Sequence, residues 1–131
     1  MSAKMGADTN AINWFEIPVT DIDRATKFYE HILDVQLNKG DFNGMKMNSF
    51  PSDPMQGKIG GALVQSPMHH PSATGAVIYL NGNPNLQHIV DRIEQAGGKV
   101  QMPKTHITDE IGYMAFFTDT EGNSVALHSN E

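Results

Sequence analysis

Two side chains, Glu16 and His128, are placed to share acid–base work. Between Ile12 and Val19 the residues alternate, with Phe15, Ile17 and Val19 on one side and Trp14, Glu16 and Pro18 on the other. The same period of two groups Ser124, Ala126 and His128, and sets Val77 and Tyr79 against Ala76, Ile78 and Leu80. Where the apolar sets pack on helices, the opposite sets are left for function. On such a surface Glu16 could act as a base, with His128 as the acid or the group that orients it. Used only for binding, Trp14 and Tyr79 offer flat faces to a planar or cationic ligand, an indole being the best cation–π partner. Lys104, followed by Thr105, adds a cation for an anionic substituent on the ligand.

The other histidines carry blander expectations. His69-His70 lies in a Pro-flanked stretch and reads as solvated loop, since adjacent imidazoles point two ways. His31 and His88 fall on amphipathic helices at exposed or boundary positions. His106 lies near Lys104 in the stretch from Met102 to Gly112, read as a surface loop whose functional alternative is a lid over the site. No Walker loop, dinucleotide fingerprint, zincin helix or nucleophile elbow occurs, so nucleotide-dependent chemistry and serine hydrolysis lack a basis.

Composition narrows the classes further. The absence of Cys excludes a thiol nucleophile, a Cys-ligated metal and a disulfide framework, and it fits a reducing compartment, with the cytoplasm expected. Nine Lys and Arg against fifteen Asp and Glu give a formal charge of −6, which repels a phosphate backbone and makes nucleic acid an unexpected partner. No apolar run approaches the ~20 residues of a membrane span. The 131 residues suit one domain, with residues 1–9 a loose polar leader.

The elements that must position these side chains are written twice. The first alternating run is followed by Asp21 as a helix cap, Asp23 in the first turn, and Ile22, Ala25, Phe28, Tyr29, Ile32 and Leu33 at helical spacing. Three strands are then expected at Val35–Asn38, Met45–Phe50 and Ile59–Gln65. After a linker over 67–74, the order returns. A strand at Ala76–Leu80 leads to Asn83 as cap and Pro84 at the first helical position. Leu86, Ile89, Val90, Ile93 and Ala96 form the stripe, and Gly97-Gly98 is the stop. Strands at Lys99–Met102, Tyr113–Thr118 and Ser124–His128 complete a second β-α-β-β-β unit, so module one spans about 10–66 and module two about 75–130. One helix cannot cover both faces of a four-stranded sheet, so the modules must complete each other.

Residues 15–29, Phe-Glu-Ile-Pro-Val-Thr-Asp-Ile-Asp-Arg-Ala-Thr-Lys-Phe-Tyr, resemble the opening of the vicinal oxygen chelate superfamily. That group includes glyoxalase I, bleomycin-resistance proteins and extradiol dioxygenases. Residues 112–129 resemble its closing hairpin, with Asp119-Thr120-Glu121-Gly122 where Asp-Pro-Asp-Gly is usual. The resemblance implies an α+β fold of two tandem βαβββ modules forming an open, cup-shaped mixed sheet with helices on the convex face, and a homodimer. It places Met114 and Phe116 in the cup beside Trp14, Glu16, Tyr79 and His128. In metal-dependent relatives the ligand positions correspond here to Trp14, to Gly75 or Val77, to Ala126, and to the strand ending at Gln65. Hard or borderline divalent ions need several converging N/O donors, so no metal cofactor is expected. The function implied is binding of a small molecule in a metal-free aromatic, acidic pocket. The alternative is an enzyme: a metal-free isomerase or lyase using Glu16 and His128, or a lyase or dioxygenase holding Zn, Ni, Mn or Fe on His69, His70, Gln65 and His128.

Overall fold

The structure is a computed structural model describing residues 4–131, so the first three residues of the expected leader lie outside the described residues. Its strands are β1 (Trp14–Pro18), β2 (Asn38–Phe42), β3 (Met45–Ser49), β4 (Gly60–Gln65), β5 (Tyr79–Asn81), β6 (Lys99–Thr108), β7 (Gly112–Thr118) and β8 (Ser124–Ser129); its helices are α1 (Ile22–Leu33) and α2 (Gln87–Ile93). They form two four-stranded mixed sheets, ordered β1-β4-β3-β2 and β5-β8-β7-β6. In each sheet the first strand of the module runs parallel to the last and the other pairs are antiparallel. This is the expected α+β fold of two βαβββ units; the sheets are hydrogen-bonded separately and do not close.

One apolar core serves both units. Ile17 and Val19 at the end of the first strand, Leu63 of β4, Leu80 of β5, Phe117 of β7 and Leu127 of β8 meet Ile22, Ala25, Phe28, Tyr29 and Ile32 of α1 and Ile89 and Ile93 of α2. Burial of each large side chain contributes about 1.5–3 kcal/mol relative to leaving it in water. Tyr29 joins the sheets, lying edge-on to Phe50 just after β3 and 6.2 Å from Phe117. The Arg92 side chain of α2 donates to the Ile32 carbonyl of α1. Each sheet thus turns one face to the helices, and its other face bears the alternate set of side chains.

Helix α1 follows its spacing. Asp21 caps it by accepting from the Arg24 amide, and Asp34 ends it in a left-handed conformation. Elsewhere local geometry overrides the expected boundaries. The segment expected as β2 ends where the strand begins, because only Asn43 and Gly44, both at positive φ, make the turn to β3. The fifth strand is shorter than expected. Asn83 does not cap α2, and Pro84 is not its first residue: α2 begins at Gln87 without a side-chain cap, while Asn83 accepts from the Asn130 amide. The helix ends at Ile93, short of the expected Ala96, and turns carry the chain on to Gly97 at φ 106°.

The largest correction concerns the stretch expected as a loop or lid. Residues 99–108 form one strand that pairs with β7 through three register shifts. Exposure still alternates along it, with one phase break at Lys104–Thr105, and Pro103 is tolerated because β6 is an edge strand.

Candidate functional site

On the helix-free face of the first sheet, four side chains form a chain of hydrogen bonds. Trp14 and Glu16 sit two apart on β1, and the Trp14 Nε1–H donates to Glu16 Oε2 at 3.1 Å. The other carboxylate oxygen, Oε1, lies 2.7 Å from His69 Nε2. An ionised carboxylate only accepts, so Nε2 donates, and in the neutral ring Nδ1 then accepts from the Ser66 hydroxyl at 2.7 Å. The hydrogen bond from His69 holds the Glu16 carboxyl below its ordinary value, against the opposing effect of burial and with help from Trp14. The His69 and Glu16 side chains are 20% and 34% exposed, whereas Trp14 is 45% exposed. The indole is therefore fixed at one edge and open on the ring.

The second sheet presents the matching face. Tyr79 of β5, Ala126 of β8 and Phe116 of β7 lie side by side in register. The methyl of Ala126 is small enough for the flanking rings to meet edge-to-face at 5.7 Å. Beyond them, Tyr79, Asn81, Ile107, Ile111, Met114 and His128 line an open groove of about 610 Å³. The His128 Nε2 is 2.6 Å from the Ile111 carbonyl, which can only accept; the bond fixes the proton on Nε2.

Trp14 and Glu16 thus stand on one sheet, and Tyr79, Met114, Phe116 and His128 on the other. Among the described residues no hydrogen bond or aromatic contact joins the two groups. Glu16 meets His69 instead of His128, and His69 is a half-buried partner, not the solvated loop residue expected. Lys104 is drawn away from the groove: its ammonium donates to Asn85 before α2 and lies 4.4 Å from the ring centre of Tyr113, which packs on the core. His106 hydrogen-bonds Asp109 at an exposed position.

Sequence reasoning missed two things here. The spacing Ser66-x-x-His69 matched a tight turn, closed by the His69 amide on the Ser66 carbonyl, but nothing in it pointed to β1. The Asp119–Asn123 turn was visible, yet not its reach. Glu121 accepts from the Thr20 and Asp21 amides and from Arg24, fastening the second module to the start of α1. Burial alone would raise its pKa, but those bonds with Thr20 and Thr120 hydroxyls hold it at about 2. Beside it, buried Asp119 accepts from the Tyr29 hydroxyl and from the amides of Glu121 and Asn123.

The residues at the family's ligand positions do not fit a metal. Trp14 and Ala126 have no donor for one, Gly75 and Val77 carry none, and Gln65 uses Oε1 to accept from the Ile22 amide at the start of α1. The displaced set of Gln65, His69, His70 and His128 is spread over both sheets and the linker. Among the described residues no three His, Asp or Glu side chains converge.

The comparisons with known proteins agree with this architecture. The model of the Glyoxalase/Bleomycin resistance protein/Dioxygenase superfamily matches residues 11–127. A glyoxylase-like domain-containing protein from Didymella fabae is 30% identical over 123 residues, 88% of this chain and 91% of its own. Among solved structures, glyoxalase I from Zea mays aligns with TM-score 0.64 at 18% identity, over 89% of this chain and 43% of that one. A glyoxalase/bleomycin resistance protein from Albidiferax ferrireducens T118 aligns with TM-score 0.63 at 16% identity, over 93% and 100%. The two structures share the fold, and the family match carries the conclusion: this chain belongs to the Glyoxalase/Bleomycin resistance protein/Dioxygenase superfamily.

Proposed function

We propose that the chain is a small-molecule-binding protein of the glyoxalase/bleomycin-resistance type, acting in the cytoplasm as one domain. Its site is on the helix-free sheet faces and takes a flat ligand against Trp14, Glu16, Tyr79, Met114, Phe116 and His128. The observation that carries this reading is Trp14, a large apolar ring left 45% exposed yet held in one orientation by its bond to Glu16. A fixed, open aromatic face lowers the ordering cost of binding. The two faces look away from the shared core, so a homodimer in which a second copy sets its second sheet against this first one would complete the cup.

An enzyme that moves a proton with Glu16 is the second reading, favoured by the Glu16–His69 bond. Binding stands ahead of it because a carboxylate whose pKa is lowered is a good anion and a weak base.

The test is a screen of planar aromatic compounds followed through backbone amide NMR shifts. Shifts at residues 14–16, 79–81, 114–116 and 128 are expected. Shifts confined to the charged groove of α1 around Asp23, Lys27 and His31, or none from any compound, overturn the reading.

A further inference from the structure

We propose that the His69–Glu16 contact is a latch, and that the ligand group which opens it is a planar organic cation of the amidinium, guanidinium or aromatic ammonium class, seated on the Glu16 carboxylate and against the Trp14 ring. The proposal rests on the reading of the sheet face as a binding site and adds the ligand's chemistry.

The two oxygens of Glu16 are held differently. Oε2 takes its bond from Trp14, two residues away on the same strand, which fixes both groups. Oε1 takes its bond from a residue 53 positions away, in the segment between the modules. The neighbours of His69 stay outside: Pro67, Met68 and His70 are exposed, Met68 by 85%, and only the imidazole turns inward. Two local bonds to Ser66 hold its position. A side chain of this kind can swing out without disturbing a strand.

Charge explains why something must occupy that oxygen. Among the described residues no Lys or Arg lies within 4 Å of the carboxylate, and its ion-pair contact is with His69. Trp14 serves Oε2 alone, and leaving the second oxygen of a partly buried carboxylate without a donor is costly, so His69 supplies one. The imidazole is a flat N–H donor on the same carboxylate that holds the indole. An amidinium or guanidinium has that shape, carries a permanent charge, gives parallel N–H donors to a carboxylate, and stacks on an aromatic face. It therefore competes with His69 for the same oxygen on better terms.

The closing experiment uses benzamidine, cationic at neutral pH, and benzamide, its neutral near-isostere. Calorimetry reads affinity, and fluorescence reads location, because Trp14 is the single tryptophan of the sequence. Benzamidine is expected to bind and perturb the fluorescence, with benzamide weaker by about tenfold. His69→Ala is expected to tighten benzamidine by about three- to tenfold, the net worth of the hydrogen bond that no longer competes. His69→Gln, which restores a donor, is expected to return toward the parent affinity. Glu16→Gln keeps an acceptor for Trp14 and is expected to abolish the preference for the cation. Equal binding of both probes overturns the cation proposal while leaving the binding face in place. Weaker benzamidine binding in a folded His69→Ala protein removes the latch. Silence from both probes overturns the proposal, and silence in the wider aromatic screen as well removes the binding face itself.

Discussion

The two sheets use equivalent positions for different chemistry. Trp14 opens β1 opposite Gly60, and Tyr79 opens β5 opposite Ala126, so each module sets an aromatic ring over a very small residue. Two residues on, Glu16 stands opposite Ala62 and Asn81 opposite His128. The first face is thereby organised by a charge with a linker histidine on it, the second by rings set edge-to-face beside a groove. The helices differ in the same sense. The amides at the start of α1 are taken by Asp21, by Gln65 of β4 and by Glu121 of the second module, whereas α2 begins at Gln87, whose amide goes to the nearby Asn85 side chain, and the preceding Leu86 offers no side-chain cap and donates its own amide to Ser129. Duplication fixes where a side chain stands, and the contacts made by the chain between and beyond the modules decide what it does there.

The contrast between the helices breaks most completely at Asp119. Replacing Asp119 by Ala strands the buried Tyr29 hydroxyl and two backbone N–H donors at once, and leaves the Asn123 amide group with only the Pro18 carbonyl to accept from it. The expected loss is about 3–5 kcal/mol in urea unfolding, the scale of a broken buried network. Tyr29 is already pushed well above its ordinary value by burial first and Asp119 second, so the parent protein also loses stability as the pH rises past the ordinary tyrosine range.

Glu121→Gln is the next step down. The amide keeps an acceptor for Thr20 and Asp21 but loses the charge that faces Arg24 and the positive end of α1, and about 1–2 kcal/mol is expected at neutral pH. The sign of the pH dependence follows from a folded pKa of about 2 against an ordinary 4.5. The carboxylate stabilises the fold above 4.5, and that contribution fades as the pH falls toward 2. Parent and variant unfolding curves should therefore converge across that interval. A difference unchanged at low pH would mean that packing, not charge, ties the second module to α1.

How much of this was legible depended on whether a contact was local or regular. Trp14, Glu16 and the stripe of α1 obey clean periods of two and 3.6, so alternation placed them on the correct faces. Strand β6 alternates in exposure apart from one phase break at Lys104–Thr105, but Pro103 and the mostly polar residues after Met102 give its second half the composition of a loop. The start of α2 failed for another reason: Asn83 and Pro84 carry the right residue types, but Asn83 is claimed by the Asn130 amide 47 positions later. His69 shows the limit most directly. Its partner is set by where the linker crosses β1, which no pattern within the linker encodes.

The aromatic anchors give a smaller effect that separates binding from folding. Tyr79 is half exposed, so Tyr79→Ala is expected to cost about 0.5–1 kcal/mol of stability while removing ligand-induced shifts on the second sheet. A loss of several kcal/mol would show that the ring belongs to the core and not to a site.

The smallest change makes the two modules more alike. Gly60→Ala gives the first sheet the methyl that the second already has beneath its ring at Ala126. The new Cβ would meet the hydroxyl end of Ser52, which can rotate away, and would stand 3.1 Å from the Ser52 Cβ and 3.7 Å from Trp14 Cζ3. The second contact is ordinary packing and the first needs a few tenths of an ångström, so the expected cost is about 0.5 kcal/mol, partly offset by the lower chain entropy of the unfolded alanine protein. Trp14 should keep its bond to Glu16, and its fluorescence should be unchanged. A shifted emission would mean that the glycine is required to seat the indole, and the two modules would then differ in backbone clearance as well as in the side chains they present.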